Sequence, residues 1–96
     1  MSLLKHIEYR KSCGLTHFEE HVLAILAEDG EVKSSYLIAR GIRGNNAKDL
    51  RHNLERKGFI KSRQLKNLLL VSLTEQGEYY IQSVKELYDV QNTGGL

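Results

Sequence analysis

Apolar residues recur with helical period through most of this chain and with strand period in one stretch past the middle. Leu3, Leu4 and Ile7 share one face of a first predicted helix, Ser2 to Cys13, with His6, Glu8 and Arg10 largely off it. Gly14 stands where a helix needs a residue that ends it. Thr16-His17-Phe18-Glu19 matches the capping box S/T-x-x-E, which predicts a second helix from His17. Its stripe is Phe18, Val22, Ile25 and Leu26, widened by Leu23, and Gly30 ends it. Glu31 to Lys33 reads as a short strand with Val32 inward.

Ser34 to Arg40 predicts a short third helix, with Ser34 or Ser35 as its cap. The tight turn Gly41-Ile42-Arg43-Gly44 follows, Ile42 acting as an apolar plug. A longer helix then runs from Asn45 to Lys57. On it Ala47, Leu50 and Leu54 form the inward face, and Asn45, Lys48, Asp49, His52 and Arg56 lie opposite at 100° per residue. Gly58 closes this helix and Phe59 supplies the apolar contact just after it. Phe59 to Gln64 and Leu68 to Leu73 read as antiparallel strands around a turn near Leu65-Lys66-Asn67. The second strand is apolar on both faces and is predicted to be the more buried. Thr74 caps a last helix to about Val90, with Tyr80, Ile81, Val84, Leu87 and Tyr88 as a broad stripe. Residues Gln91 to Leu96 read as a frayed tail.

These elements predict a mainly α protein with a small β-hairpin, an α+β fold in one domain over residues 1–96. Two helices around a glycine-containing turn, followed by a two-stranded ribbon, make residues 34–73 a winged helix-turn-helix. The terminal helices, 1–13 and 75–90, carry more apolar residues than a domain of this size needs for itself. They are therefore expected to pair with those of a second copy through Leu3, Leu4, Ile7, Tyr80, Val84, Leu87 and Tyr88, forming a homodimer.

The charge distribution gives this pattern a chemistry. The chain of 96 residues has a net charge of only +2. Yet Arg40, Arg43, Lys48, Arg51, Arg56, Lys57, Lys61, Arg63 and Lys66 face only Asp49 and Glu55 within the same tract, a local +7 against −5 elsewhere. A basic tract centred on a helix-turn-helix points to double-stranded DNA, with donor-rich side chains of the longer helix able to read base edges or grip phosphates. The alternative is a winged-helix module that binds a partner protein through the same helix, without DNA. One cysteine permits no internal disulfide, no apolar run approaches the ~20 residues of a membrane helix, and no signal-peptide pattern opens the chain. A cytoplasmic location is expected. Cys13, His17 and His21 are spaced as zinc ligands can be, but Gly14 and the cap at Thr16 interrupt a continuous helix, so no metal is expected. No phosphate-binding glycine loop, paired carboxylate or activated nucleophile suggests an enzyme, and no cofactor is expected.

Two motifs carry a resemblance to a known family. Leu54-Glu55-Arg56-Lys57-Gly58-Phe59-Ile60, then Leu70-Val71-Ser72-Leu73-Thr74-Glu75-Gln76-Gly77, resemble the segments that open and close the wing in winged-helix transcriptional regulators of the MarR and PadR type. The resemblance covers roughly Phe18 to Tyr80. It implies a cytoplasmic homodimeric regulator whose recognition helix (45–57) enters the major groove and whose wing (59–73) touches the flanking backbone or minor groove of a palindromic site. Carried over by position, Asn45, Asn46, Lys48, Asp49, His52 and Arg56 fall on the recognition helix, and Lys61, Arg63 and Lys66 on the wing; Arg43, a cation of the basic tract in the turn, is a further expected DNA contact. Two departures stand out. The longer wing with an Asp-x-Arg-Arg element is absent, and the short chain leaves little room for the ligand pocket of drug-responsive members, which argues against a small-molecule effector.

Overall fold

The capping box forms as its spacing predicts: the Glu19 amide donates to Thr16 Oγ1 at 3.2 Å and the Thr16 amide donates to Glu19 Oε1 at 3.0 Å. The computed structural model describes the backbone of residues 3–93 and the side chains of residues 4–43 and 47–87. In chain order the elements are α1 (Leu3–Cys13), α2 (His17–Asp29), β1 (Val32–Lys33), α3 (Ser34–Ala39), α4 (Gly44–Lys57), β2 (Ile60–Leu65), β3 (Leu68–Leu73) and α5 (Glu75–Thr93). Helix α5 runs past the expected Val90. Helix α3 starts at Ser34 itself, so its cap is Lys33, which makes no side-chain capping bond, rather than either serine.

The sheet is antiparallel in the order β1-β3-β2. Val32 pairs with Val71, and Ile60 through Leu65 pair with Leu73 through Leu68. Three strands give the hairpin a flank it lacks alone, since a two-stranded ribbon is marginal in water. The core forms where α2 (Val22, Leu23, Ile25, Leu26) meets Leu37, Ile42, Leu54, Phe59, Ile60, Val71 and Tyr80, each at most 3% exposed.

Two predicted inward positions turn outward. Phe18 is 61% exposed, and Glu19 takes the buried place beside it. Leu68 is exposed as well, because only the middle of β3, at Val71, lies under the helices.

The base of the hairpin is closed by a compact set of bonds. Gly58 ends α4 in the left-handed conformation, φ 87°, and the Phe59 amide reaches back to the Leu54 carbonyl at 3.0 Å. The Thr74 amide then donates to the Phe59 carbonyl at 3.1 Å, while the Thr74 hydroxyl donates to the Gly58 carbonyl at 2.6 Å and accepts from the Gly77 amide at 3.1 Å. A Cβ on Gly77 would lie 2.1 Å from the Phe59 carbonyl oxygen, so only glycine lets the first turn of α5 rest on the wing's root. The two family-like motifs are thus the two halves of one latch.

Helix α1 packs on α5 through a partly polar seam. His6 is buried, its Nδ1 hydrogen-bonded to Ser83 Oγ at 3.0 Å, and its Nε2 lies 2.6 Å from Glu86 Oε2, off the line of a hydrogen bond. Arg10 grips Glu20 of α2 with two bonds of 2.7 Å, and the Tyr80 hydroxyl donates to the same carboxylate. The Tyr9 ring meets Tyr79 edge-on at 5.0 Å and Tyr80 at 5.9 Å.

Candidate nucleic-acid interface

The turn between α3 and α4 is set by Ile42, which is 3% exposed and whose amide donates to the Leu37 carbonyl at 3.0 Å. With that plug seated, Ala47 and Leu54 point into the core and Leu50 is half-buried. Lys48, Asp49, His52 and Arg56 are left exposed on the outer face of α4, as the period of the sequence predicts. Arg56 donates to Asn53 Oδ1 at 2.8 Å, which orients its guanidinium along the helix. Arg43, just before α4, is exposed too. The side chains of Asn45 and Asn46 lie outside the described residues.

The hairpin joins this surface directly. Strand β2 packs against α4, and the Ser62 hydroxyl donates to the Glu55 carboxylate, tying the wing to the helix beside it. Lys61, Arg63 and Lys66 are exposed along it. The turn is Lys66-Asn67, with Leu65 opposite Leu68. Lys66 takes φ 57°, and the positive φ at the first central residue of a two-residue turn is what the right-handed twist of the strands favours.

Folding redistributes the local +7. Acids from outside the tract fold back onto it: Arg40 meets Asp29 and Glu28, Lys57 meets Glu19 at 3.2 Å, and Arg63 meets Glu31 through bonds of 2.8 and 2.9 Å. Arg51 lies 3.9 Å from Glu55 within the tract. The Arg63 bonds hold Glu31 below the usual carboxylate range and Arg63 above its own ordinary value. Arg40 is raised as well, first by the Tyr36 hydroxyl and then by the charge of Asp29. Among the described residues Arg43, Lys48, Arg56 and Lys66 form no ion pair with an acid, and Lys61 acts on Glu31 only through its charge, without a bond. The cationic surface is therefore narrower than the sequence suggests, centred on α4 and the outer half of the wing.

The residues assigned to a partner surface divide. Leu4 and Ile7 are 63% and 41% exposed on the outer side of α1, and Leu87 is half-buried. Tyr80 and Val84, in contrast, are 0% and 7% exposed within the single chain. They are core residues: the inner face of α1 offers His6, Tyr9 and Cys13, and the apolar stripe of α5 turns inward to cover α2 and Phe59. The side chains of Leu3 and Tyr88 lie outside the described residues. Among the described residues, no three of His, Cys, Asp or Glu gather as a metal site, and Cys13 is a half-buried free thiol. No described helix is long and apolar enough to cross a membrane.

The wing tip is the feature that period reasoning missed. Leu65 and Leu68 bracket a two-residue turn and are both exposed, 47% and 39%. Their spacing around Lys66-Asn67 was the available signal.

This geometry is that of the winged helix-turn-helix, and solved structures share it over nearly the whole chain. The S. aureus MepR–DNA complex superposes with a TM-score of 0.77 at 20% identity, covering 94% of this chain and 72% of that one. YusO from Bacillus subtilis gives 0.75 at 22% identity, covering 98% and 70%. A mutant of Lactococcus lactis ZitR in apo form gives 0.61 at 24%, covering 99% and 83%. At such identities the likeness establishes the fold. No protein-family model and no curated protein matches the sequence.

Proposed function

We propose that this protein is a cytoplasmic, homodimeric regulator of transcription that binds double-stranded DNA in a sequence-specific manner. One observation carries the reading: burial of Ala47 and Leu54 turns Lys48, Asp49, His52 and Arg56 outward, beside an acid-free hairpin bearing Lys61 and Lys66. A similar fold holds DNA in the MepR complex, which supports the same use here.

In this mechanism α4 enters the major groove, its orientation fixed by the Ile42 plug. Arg56, Lys48 and His52 meet base edges, with Asn45 and Asn46 at the start of the helix, and each well-made base contact discriminates by ~1–3 kcal/mol. Arg43, Lys61, Lys66 and Arg63, the last released from Glu31, meet phosphates and set the register. Leu4 and Ile7 of α1 and Leu87 of α5, with Leu3 and Tyr88, join two copies, and two-fold symmetry then calls for a palindromic site with half-sites about one helical turn apart. The protein acts by occupancy rather than by catalysis.

The test is a binding titration on mixed-sequence duplex at about 50 and 200 mM salt, where a phosphate-gripping dimer loses roughly a thousandfold in affinity. Absence of binding at the lower salt overturns the reading and directs attention to a protein partner for the same helix.

A further inference from the structure

From Ile60 to Leu73 the hairpin holds three cations and no acid. At its tip Leu65 and Leu68 are cross-strand partners, so their side chains lie on one face and form a single exposed apolar ridge. An exposed apolar hairpin end is a liability that proteins ordinarily blunt with charge or cover. Here the ridge is held stiffly. The Lys66 carbonyl accepts from Gln64 Nε2 at 3.0 Å, Lys66 is fixed at φ 57°, and the root is tied to α4 through Ser62 and Glu55.

We propose that this ridge is a wedge for the minor groove of DNA: Leu65 and Leu68 enter beside the segment read by α4 and part a base-pair step, while Lys61 and Lys66 hold the flanking phosphates. The proposal rests on the DNA-binding reading above and adds what the wing does there. Leucine can neither donate nor accept a hydrogen bond, so the ridge reads no base edge. Its gain is the burial of apolar surface against unstacked base faces, the mode by which apolar side chains kink duplexes. Such a wedge is accommodated most cheaply at pyrimidine–purine steps, which unstack readily, so it selects sequence by deformability. An apolar tip with basic flanks also suits an anionic bilayer. DNA is favoured because Ser62 bonds β2 to Glu55 of α4, so the strand that carries the ridge is anchored to the helix that bears the exposed cations Lys48 and Arg56.

A pool of mixed-sequence duplexes of about 30 base pairs, labelled at both ends for energy transfer, tests this. Bound wild-type protein brings the ends together by a kink of about 20–90°. The Leu65→Ser/Leu68→Ser variant binds with little loss of affinity but leaves the duplex straight. Lys66→Ala at the same tip weakens binding on every sequence and keeps the kink. Selection from a randomised pool enriches TA or CA/TG steps at a fixed distance from the half-site with the wild type, and not with the double variant. An unchanged melting curve shows the double variant folded; should it unfold, the single Leu68→Ser variant is read instead. Equal kinks in wild type and variant overturn the wedge while DNA binding stands. Failure of the wild type to bind duplex at low salt overturns the DNA reading itself. Leucine-dependent binding to phosphatidylglycerol vesicles, with duplex shape unaffected, assigns the ridge to a membrane surface and overturns the proposal.

Discussion

Lys57, in the last turn of α4, sets its ammonium 3.2 Å from the carboxylate of Glu19, which is only 3% exposed and also closes the capping box of α2. This cation stabilises the fold by docking the end of α4 on the start of α2. Lys57→Ala leaves a buried carboxylate without its partner and is expected to cost about 2 kcal/mol, somewhat less than a fully buried pair because Lys57 itself reaches solvent. Thermal unfolding reads this as a midpoint lower by roughly 10 °C. Lys48→Ala, on the free face of the same helix, should melt with the wild type. Identical curves for the two variants would show that the Lys57–Glu19 pair adds nothing.

Gly77→Ala is expected to be the most damaging small substitution in the wing's surroundings. Its new methyl meets the Phe59 carbonyl oxygen at 2.1 Å, a backbone atom bound to the Thr74 amide and unable to swing away. Relief requires α5 to lift from the hairpin root, at a cost of about 3 kcal/mol. Denaturant unfolding measures it. A loss below about 1 kcal/mol would mean the latch yields easily.

Acid and alkali should each weaken the protein through the Arg10–Glu20–Tyr80 cluster. Burial pushes the Glu20 carboxyl up, but the bonds from Arg10 and Tyr80 and the charge of Arg10 outweigh it and hold the group below its ordinary 4.5. A depressed value stabilises above the unfolded one and is lost as pH falls through the folded one. Melting temperature should therefore decline below about pH 4.5, and Glu20→Gln should flatten that decline. Burial and a bond with Cys13 push Tyr9 up to about 12, and burial and Glu20 raise Tyr80, both from an ordinary 10.0. Raised values stabilise below pH 10 and lose that contribution as pH rises through them. Tyr80→Phe should shrink the alkaline decline, and an unaltered profile would remove Tyr80 from it.

The outer face of α4 and the wing are expected to divide their labour. Arg56→Ala should cost ~1–3 kcal/mol on a selected site and little on random duplex, whereas Lys61→Ala should weaken both alike. Competition titrations on the two DNAs separate the roles. Equal losses everywhere for both variants would mean that neither reads sequence.

For the dimer, Leu4→Arg places a charge on the most exposed apolar side chain among the described residues of α1, and Leu87→Arg places one on a half-buried leucine of α5. Either should yield monomers in sedimentation. Val84→Arg, in contrast, should unfold the chain, because Val84 is already buried within it. Persistent dimers in the first two variants would move the interface elsewhere.

The helices, the turn and the hairpin were legible because each is announced locally, by period, cap or glycine. The exposed set on α4 was legible for the same reason, since Ala47 and Leu54 fix the rotation of the helix. What escaped depended on contacts across the chain. That Glu19, Asp29 and Glu31 would answer Lys57, Arg40 and Arg63 is a tertiary fact invisible in a running charge sum. Tyr80 and Val84 resembled a free surface because the seam they cover is lined by His6 and Tyr9, which read as polar or neutral along α1. The spacing of Leu65 and Leu68 around Lys66-Asn67 puts them at a hairpin tip, but their exposure follows from how far that tip projects beyond the helices, a tertiary property.

The bond between the Thr74 amide and the Phe59 carbonyl draws the two ends of the wing together before the hairpin begins. Everything between them hangs from a closed neck, and β1 reaches only as far as the Val71 and Leu70 pairings. Beyond Arg63, which is held by Glu31, the outer segment from Gln64 to Leu69 can therefore lengthen or shorten with little consequence for the rest of the chain, since added loop residues cost little in closure entropy. Under the proposed function, insertion at Lys66-Asn67 gives the wing a new reach along DNA at little cost to folding.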